Sequence, residues 1–194
     1  MIHIFCFLFV LYSGFAIAQD TYTMDSKAST IRWKGEKFLG QHTGTLQLKG
    51  GSFLVRSGQV QQGSFIIDMR SLENEDLEGD RRQELEEWLR SKEMFNTRRY
   101  PNVKFKISSV QPLPEKNQYQ VEGMLTIKEI SHTVTFPASI NIEGASARVS
   151  AEIVFDRTLW NLNYESGGLV GGLANTAIHD EVTVTVDLEA NAEE

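Results

Sequence analysis

The feature that most constrains this chain is the alternation of apolar and polar residues between Thr21 and Leu188. In residues 103–108, for example, Val, Phe and Ile alternate with Lys, Lys and Ser. A two-residue period is typical of β-strands with one apolar and one polar face, and the segments that show it predict about eight strands. Since buried parallel strands are apolar on both faces, the polar face predicts antiparallel pairing.

About eight antiparallel strands with inward apolar faces either close into a barrel or form a two-sheet sandwich, and the alternation is compatible with both. The chain has 194 residues, which is typical of one domain, and it contains no internal repeat and no linker. We therefore predict a single all-β domain.

One segment departs from this alternation. Residues 80–90 are highly charged, and Leu85, Trp88 and Leu89 have the spacing of an apolar stripe on a helix. The insertion is too long for a hairpin turn. We therefore predict a helical excursion between Leu72 and Thr97 that caps one end of the sheet structure.

The amino-terminal segment Met1–Ala18 contains no Asp, Glu, Lys or Arg. Its apolar run is followed by Ala16-Ile17-Ala18, a pattern that predicts a secretory signal peptide cleaved between Ala18 and Gln19. An uncleaved membrane anchor is the alternative, although the run is short for the ~20 residues that span a bilayer. We expect a mature domain of residues 19–194 in the periplasm or secreted.

The mature chain offers few residues for catalysis or metal binding. The only cysteine, Cys6, lies in the leader, which excludes disulfides and thiolate chemistry from the mature domain. The histidines His42, His132 and His179 lack the spacing of a metal motif. We predict no metal, no cofactor and no catalytic residue, and therefore a protein that is not an enzyme.

The charge balance argues against a nucleic-acid partner. The chain has 26 acidic and 19 basic residues and a formal charge of −7, which would repel phosphate groups.

Four stretches contain specific residue motifs in addition to the alternation. They are residues 33–35 with 42–44, 88–105, 123–137, and 155–158 with 179–182. In this order they resemble the motifs of the YceI-like family, with Glu129 standing where that family usually has a turn glycine. The resemblance implies an eight-stranded antiparallel lipocalin-like barrel with a helical excursion capping one end. It also implies non-covalent binding of a polyisoprenoid lipid, with a quinone-type or polyprenyl phosphate headgroup, as a carrier or reservoir.

The side chains on the apolar face of the strands, together with the apolar side chains of the helix, would line the cavity for that lipid. Such a lining disfavours sugars and nucleotides, because their unpaired polar groups would cost about 1–3 kcal/mol each. The predicted ligand-binding residues are Trp33, Phe38, Phe65, Ile67, Leu85, Trp88, Leu89, Phe95, Phe105, Ile107, Leu125, Phe136, Ile140, Ile153, Phe155 and Trp160.

For the headgroup, the candidate basic residues are Arg98 and Arg99, which lie just after the helical excursion. We predict that they contact it, and the net charge favours an uncharged quinone-type headgroup over a phosphate. The expected partners are the polyisoprenoid and, transiently, a membrane surface, and we expect a monomer or a homodimer.

Two alternatives stay open. With a filled core, the same barrel would be a structural or interaction module of the envelope, and an interior void of several hundred Å³ would argue against it. A hydrolase or isomerase using His42 or His132 would instead place a histidine within hydrogen-bond reach of an acidic side chain beside the cavity.

Overall fold

The computed structural model describes residues 19–37, 40–164 and 178–193. The predicted signal peptide Met1–Ala18, the predicted lining residue Phe38 and the glycine-rich stretch 167–172 lie outside these residues.

The described chain forms eight strands, one α-helix and one short 3-10 helix. The elements in chain order are β1 (Gln19–Lys37), β2 (Gly40–Arg56), β3 (Gln59–Asn74), α1 (Gly79–Arg90), β4 (Asn102–Pro112), β5 (Gln118–Ile127), β6 (Ile130–Glu143), β7 (Ser146–Asp156), the 3-10 helix (Arg157–Trp160) and β8 (Ile178–Ala192).

The strands close into a barrel, because β1 pairs antiparallel with both β2 and β8. Trp33, for example, lies opposite Gly44 of β2 and opposite Val184 of β8. Each of the other strands pairs antiparallel with its neighbour in sequence. The predicted eight-stranded antiparallel barrel is confirmed, and of the two architectures that the alternation allowed, the sandwich was wrong.

The helical excursion is present, but it is shorter than predicted. β3 continues to Asn74, and α1 spans only Gly79–Arg90. Leu72, where the excursion was predicted to begin, is a buried strand residue. No helix in the described part of the chain combines the length and apolar character needed to cross a membrane.

The helix is held against the end of β3 by Glu86. Its carboxylate accepts hydrogen bonds from the main-chain N–H of Asn74 at 2.8 Å, from Arg82 at 3.0 Å and from Arg90 at 3.3 Å. Burial acts to raise the pKa of Glu86, but these donors and the two guanidinium charges outweigh burial and leave the pKa below its ordinary value. The bonds fix α1 over one end of the barrel.

The opposite end of the barrel is closed by aromatic packing. The rings of Tyr22 and Phe53 are stacked with centroids 5.3 Å apart, and the Tyr22 hydroxyl donates to the carbonyl oxygen of Gly144 at 2.7 Å. Both rings are buried. We call this end, defined by Tyr22 and Phe53, the closed end.

Candidate binding cavity

The described residues enclose an interior cavity of about 690 Å³. This volume lies within the range of about 300–1,000 Å³ that is usual for small-molecule sites, and it argues against the filled-core alternative. The cavity runs from Phe53 to the helix residues Leu85 and Trp88. Among the described residues that line it there is no Ser, Thr, Asn or Gln, so its wall is almost wholly hydrocarbon.

Fourteen of the sixteen predicted ligand-binding residues line this cavity. Binding of a ligand by these side chains stays a prediction. The fourteen are Trp33, Phe65, Ile67, Leu85, Trp88, Leu89, Phe95, Phe105, Ile107, Leu125, Phe136, Ile140, Ile153 and Phe155.

Gly123 leaves the space that the aromatic part of the cavity wall occupies. The Phe105 ring lies over Gly123 so closely that a Cβ built there would be 2.2 Å from the ring. Phe105 also lies between Phe65 and Phe136, with centroid distances of 6.3 Å and 5.6 Å. Since a larger residue at position 123 would push the Phe105 ring away, the missing side chain helps to set the width of the cavity.

Trp160 does not line the cavity, in contrast to the prediction. It is fully buried, packs edge-on against Phe155 and His132, and donates its indole N–H to the carbonyl oxygen of Leu125 at 3.3 Å. The residue lies in the 3-10 helix, where strand alternation no longer indicates which way a side chain points.

Arg98 and Arg99 are not placed at the cavity either. Both are exposed in the turns after α1, and the guanidinium of Arg99 lies 5.1 Å from the centre of the Tyr100 ring. Neither residue lines the cavity, so the structure does not support the prediction that they contact a headgroup there.

The charged and imidazole groups of the cavity wall lie together at the end covered by α1. They are Glu36 and Lys37 at the end of β1, His42 near the start of β2, and Arg157 after β7. We call this group of four residues the polar end. An amphipathic ligand would therefore have hydrocarbon contacts along the barrel and polar contacts only here.

A chain of contacts at the polar end joins Lys37, His42 and Asp76. The Lys37 ammonium lies 3.4 Å from Nε2 of His42, and Nδ1 of His42 lies 2.8 Å from the Asp76 carboxylate. Asp76 also accepts hydrogen bonds from the main-chain N–H of Thr43, at 2.7 Å, and from the side-chain amide of Asn74. Burial acts to raise the pKa of Asp76, but the hydrogen bonds from Thr43, His42 and Asn74 outweigh it and lower the pKa.

Arg157 has a different environment, because carbonyl oxygens already occupy its donors. Its guanidinium donates to the main chain of Leu162, of Ile178 at 3.2 Å and of His179 at 3.0 Å. Asp180 lies 3.5 Å from the same guanidinium. Burial lowers the pKa of Arg157, and the nearby aspartates act in the opposite direction. Arg157 thus ties the 3-10 helix to the start of β8.

The comparison with known families agrees with this architecture. Residues 22–190 match the family model described as the YceI-like domain. The chain belongs to the YceI-like family. No protein in the curated collection of sequences matches it.

Three solved structures with the same fold are similar to this chain. BcnA of Burkholderia cenocepacia is 22% identical with a TM-score of 0.65, over 87% of this chain and 99% of BcnA. A polyisoprenoid binding domain from Saccharophagus degradans, implicated in plant cell wall breakdown, is 14% identical with a TM-score of 0.64, over 89% of this chain and 98% of that domain. The YceI protein of Campylobacter jejuni is 16% identical with a TM-score of 0.55, over 70% and 75% of the two chains. At these identities the likeness shows the fold.

In this YceI-like chain, the requirement of the hydrolase or isomerase alternative is met at His42, which lies within hydrogen-bond distance of Asp76 beside the cavity. His132 instead packs against Trp160. A hydrolase also needs a nucleophile or an activated water and donors for an oxyanion. No Ser, Thr or Cys is among the described residues that line the cavity, and no described group of three His, Cys, Asp or Glu side chains could hold a metal ion.

Three residues of the polar end, Glu36, Lys37 and Arg157, were missed by the sequence reasoning, and for Lys37 the signal was present. Trp33, Gly35 and Lys37 share one parity of β1, and all three line the cavity. Extending the alternation from Trp33 through Gly35 would have placed Lys37 on the cavity face of β1. Arg157 follows the end of β7, where alternation ends, and only the fold shows that it reaches the cavity wall.

Proposed function

We propose that this protein binds a polyisoprenoid lipid non-covalently in its barrel cavity, as a carrier or reservoir. The observation that carries the proposal is the cavity of about 690 Å³ with an almost wholly hydrocarbon wall and a single polar end. A long branched hydrocarbon with a small headgroup leaves no buried polar atom unpaired in such a space. A relative of the same fold, from Saccharophagus degradans, is described as a polyisoprenoid binding domain, which supports the same ligand class here.

The energetics of transfer favour reversible exchange. Burying each methylene group from water is favourable by about 0.8 kcal/mol. In a membrane, however, the tail is already in a hydrocarbon phase, so that most of this free energy cancels on transfer to the protein. Selectivity then depends on the length of the cavity and on contacts of the headgroup.

The expected compartment follows from the amino-terminal segment. Met1–Ala18 has the apolar run and the Ala-x-Ala ending of a secretory signal peptide, which supports a periplasmic or secreted location. Loading and release of the lipid would then require transient contact with a membrane surface.

The direct test is native mass spectrometry of the protein purified from its own cell envelope, with identification of the released lipid. We expect one polyisoprenoid per protein. The absence of lipid from organic extracts of this preparation would contradict the proposal.

A variant that fills the cavity makes the test specific. A Cβ added at Gly35 would meet no atom within 4 Å, and Gly35 lines the cavity, so Gly35→Trp would place an indole in the ligand space. The matched control is Lys34→Trp at the preceding position, which does not line the cavity. We expect the lipid content to fall by at least half in Gly35→Trp and to stay unchanged in Lys34→Trp. Equal lipid content in the two variants would show that the lipid binds elsewhere.

A further inference from the structure

One part of the chain is basic although the whole chain is acidic. Residues 94–114 contain four basic residues and no Asp or Glu, and residues 123–128 add one more basic residue. The five are Arg98, Arg99, Lys104, Lys106 and Lys128. Among the described residues, no carboxylate lies within ion-pair distance of any of them, although Glu122 and Glu129 border the group. In a chain of formal charge −7, this region has the opposite sign.

Two of these lysines lie on the outside of the barrel beside an exposed methionine. Phe105 lines the cavity, so its neighbours Lys104 and Lys106 point to the outer face of β4. On β5, Met124 lies opposite Lys106, and Thr126 lies opposite Lys104. Lys104, Lys106 and Met124 are all exposed. An apolar side chain is therefore presented to solvent next to two positive charges.

The 3-10 helix adds an exposed leucine to the same side of the molecule. The Lys128 ammonium donates to the main-chain carbonyl oxygen of Asn161 at 3.4 Å, and Trp160 holds the helix to β5 through its bond to the carbonyl oxygen of Leu125. Leu159 lies in this helix and is 49% exposed. We call the whole surface the basic face, defined as Arg98, Arg99, Lys104, Lys106, Met124, Lys128 and Leu159.

The basic face adjoins the polar end of the cavity. Ile127, which precedes Lys128, lines the cavity, and so does Arg157, two residues before Leu159. A partner that contacts the basic face therefore lies close to the end of the barrel that α1 covers.

The chemistry of this surface fits an anionic lipid bilayer. Each Lys or Arg close to such a surface strengthens binding roughly fivefold. Exposed apolar side chains next to the cations can enter the region where headgroups meet acyl chains. A nucleic acid would provide phosphates for the lysines but no apolar phase for Met124 and Leu159.

We propose that the basic face docks on a bilayer that contains anionic phospholipids, with its cations against the headgroups and with Met124 and Leu159 in the interface. Docking in this way turns the polar end of the cavity towards the membrane. The inference goes beyond the proposed function, because docking requires no ligand in the cavity. It is therefore tested with vesicles that contain no isoprenoid.

Vesicle flotation measures the docking, with vesicles of phosphatidylglycerol mixed with phosphatidylcholine compared with vesicles of phosphatidylcholine alone. We expect the protein to bind the anionic vesicles more tightly. The double variant Lys104→Gln with Lys106→Gln should weaken this binding about 25-fold, since two cations are removed.

The matched control is Lys27→Gln with Lys116→Gln. Both lysines are exposed and lie nearer the closed end, on β1 and between β4 and β5. This double variant changes the net charge by the same amount, and we expect it to weaken binding less than about twofold. Thermal unfolding checks that both double variants remain folded.

A fluorescent label reports which face meets the bilayer. Residues 19–194 contain no cysteine, so Met124→Cys in the mature protein provides a single site for a polarity-sensitive fluorophore. Its emission should move to shorter wavelength on binding to the anionic vesicles. The same label at Lys116→Cys should not respond.

Four outcomes would overturn this inference. They are equal weakening in the two double variants, equal binding to both kinds of vesicle, equal emission shifts at positions 124 and 116, and no binding to either vesicle. The last is expected if the basic face serves an acidic protein instead. Intact docking by a protein that carries no lipid after native purification would contradict the proposed function alone.

Discussion

The indole N–H of Trp33 donates to the main-chain carbonyl oxygen of Glu73 at 3.2 Å, so that one side chain of β1 reaches across β2 to bond the end of β3. The residue on β2 beneath the indole is Gly44, which lies opposite Trp33 in the ladder. A Cβ built at Gly44 would be 1.8 Å from the Glu73 oxygen and 2.7 Å from the indole ring. The bond therefore depends on the absence of a side chain at this position.

Gly44→Ala should consequently destabilise the barrel. We expect the free energy of unfolding to fall by about 2–4 kcal/mol, because overpacking adds to the loss of the Trp33 hydrogen bond. Gly35→Ala is the control on the same wall, where an added Cβ meets no atom within 4 Å. Urea unfolding of both variants measures the difference, and equal midpoints would contradict the role assigned to Gly44.

The turn between β5 and β6 carries local strain at Glu129. Lys128 and Glu129 connect the paired residues Ile127 and Ile130, and both have positive φ, at 51° and 64°. This is the pattern of a type I′ turn, in which glycine is favoured at the second position. Glu129→Gly should raise the free energy of unfolding by about 0.5–1 kcal/mol, because glycine adopts positive φ without a steric penalty.

The control for Glu129→Gly is Glu122→Gly, the same change at an exposed position inside β5. There glycine should lower the free energy of unfolding by a similar amount. Destabilisation by both substitutions in urea unfolding would show that the backbone at Glu129 is not strained.

The network around Asp76 predicts a specific dependence of stability on pH. Its pKa is lowered from 3.8 in the folded protein, so that its ionised form stabilises the fold above pH 3.8, and this contribution is lost as the pH falls through the folded pKa. Asp76→Asn should cost about 1–3 kcal/mol at pH 6. The difference in the free energy of unfolding between the two proteins should shrink below pH 3.8. Urea unfolding at pH 6, 5, 4 and 3 measures it, and a constant difference would contradict this assignment.

Arg157 should be one of the most sensitive positions of the fold. Replacing it with Met leaves the carbonyl oxygens of Leu162, Ile178 and His179 without their donor, and we expect a loss of about 3–5 kcal/mol in the free energy of unfolding. Arg157→Lys should restore only part of it, since an ammonium cannot reproduce the planar array of guanidinium donors.

Arg148 is the matched control for Arg157. It forms an ion pair with Glu189 at 2.5 Å, but its side chain is 70% exposed. Arg148→Met should therefore cost less than about 1 kcal/mol. Similar losses in thermal unfolding for Arg157→Met and Arg148→Met would show that the buried contacts of Arg157 contribute little.

The features that could be predicted were those that depend on residues close together in the sequence. Phe65, Phe105 and Phe136 were placed on the inward face of their strands from alternation alone, because successive side chains of a strand point to opposite faces. All three line the cavity. Closure of the barrel was not predictable in this way, since it depends on pairing between the first and last strands.

The polar end was harder to predict for the same physical reason. His42 and Asp76 are 34 positions apart, and their contact exists only because the segment after β3 folds back beside the start of β2. The prediction that Arg98 and Arg99 meet the headgroup relied on the proximity of positive charge along the chain. It did not take into account that the turns after α1 leave those side chains exposed to solvent.

The pairing of β1 with β8 also determines how the protein can be immobilised on a surface. Tyr22 at the closed end pairs with Ala192, the last residue of β8, whereas Lys37 at the other end of β1 belongs to the polar end. A sensor surface that holds the protein through a linker after Ala192 would therefore present every barrel in the same orientation. The polar end of each molecule would point into the solution.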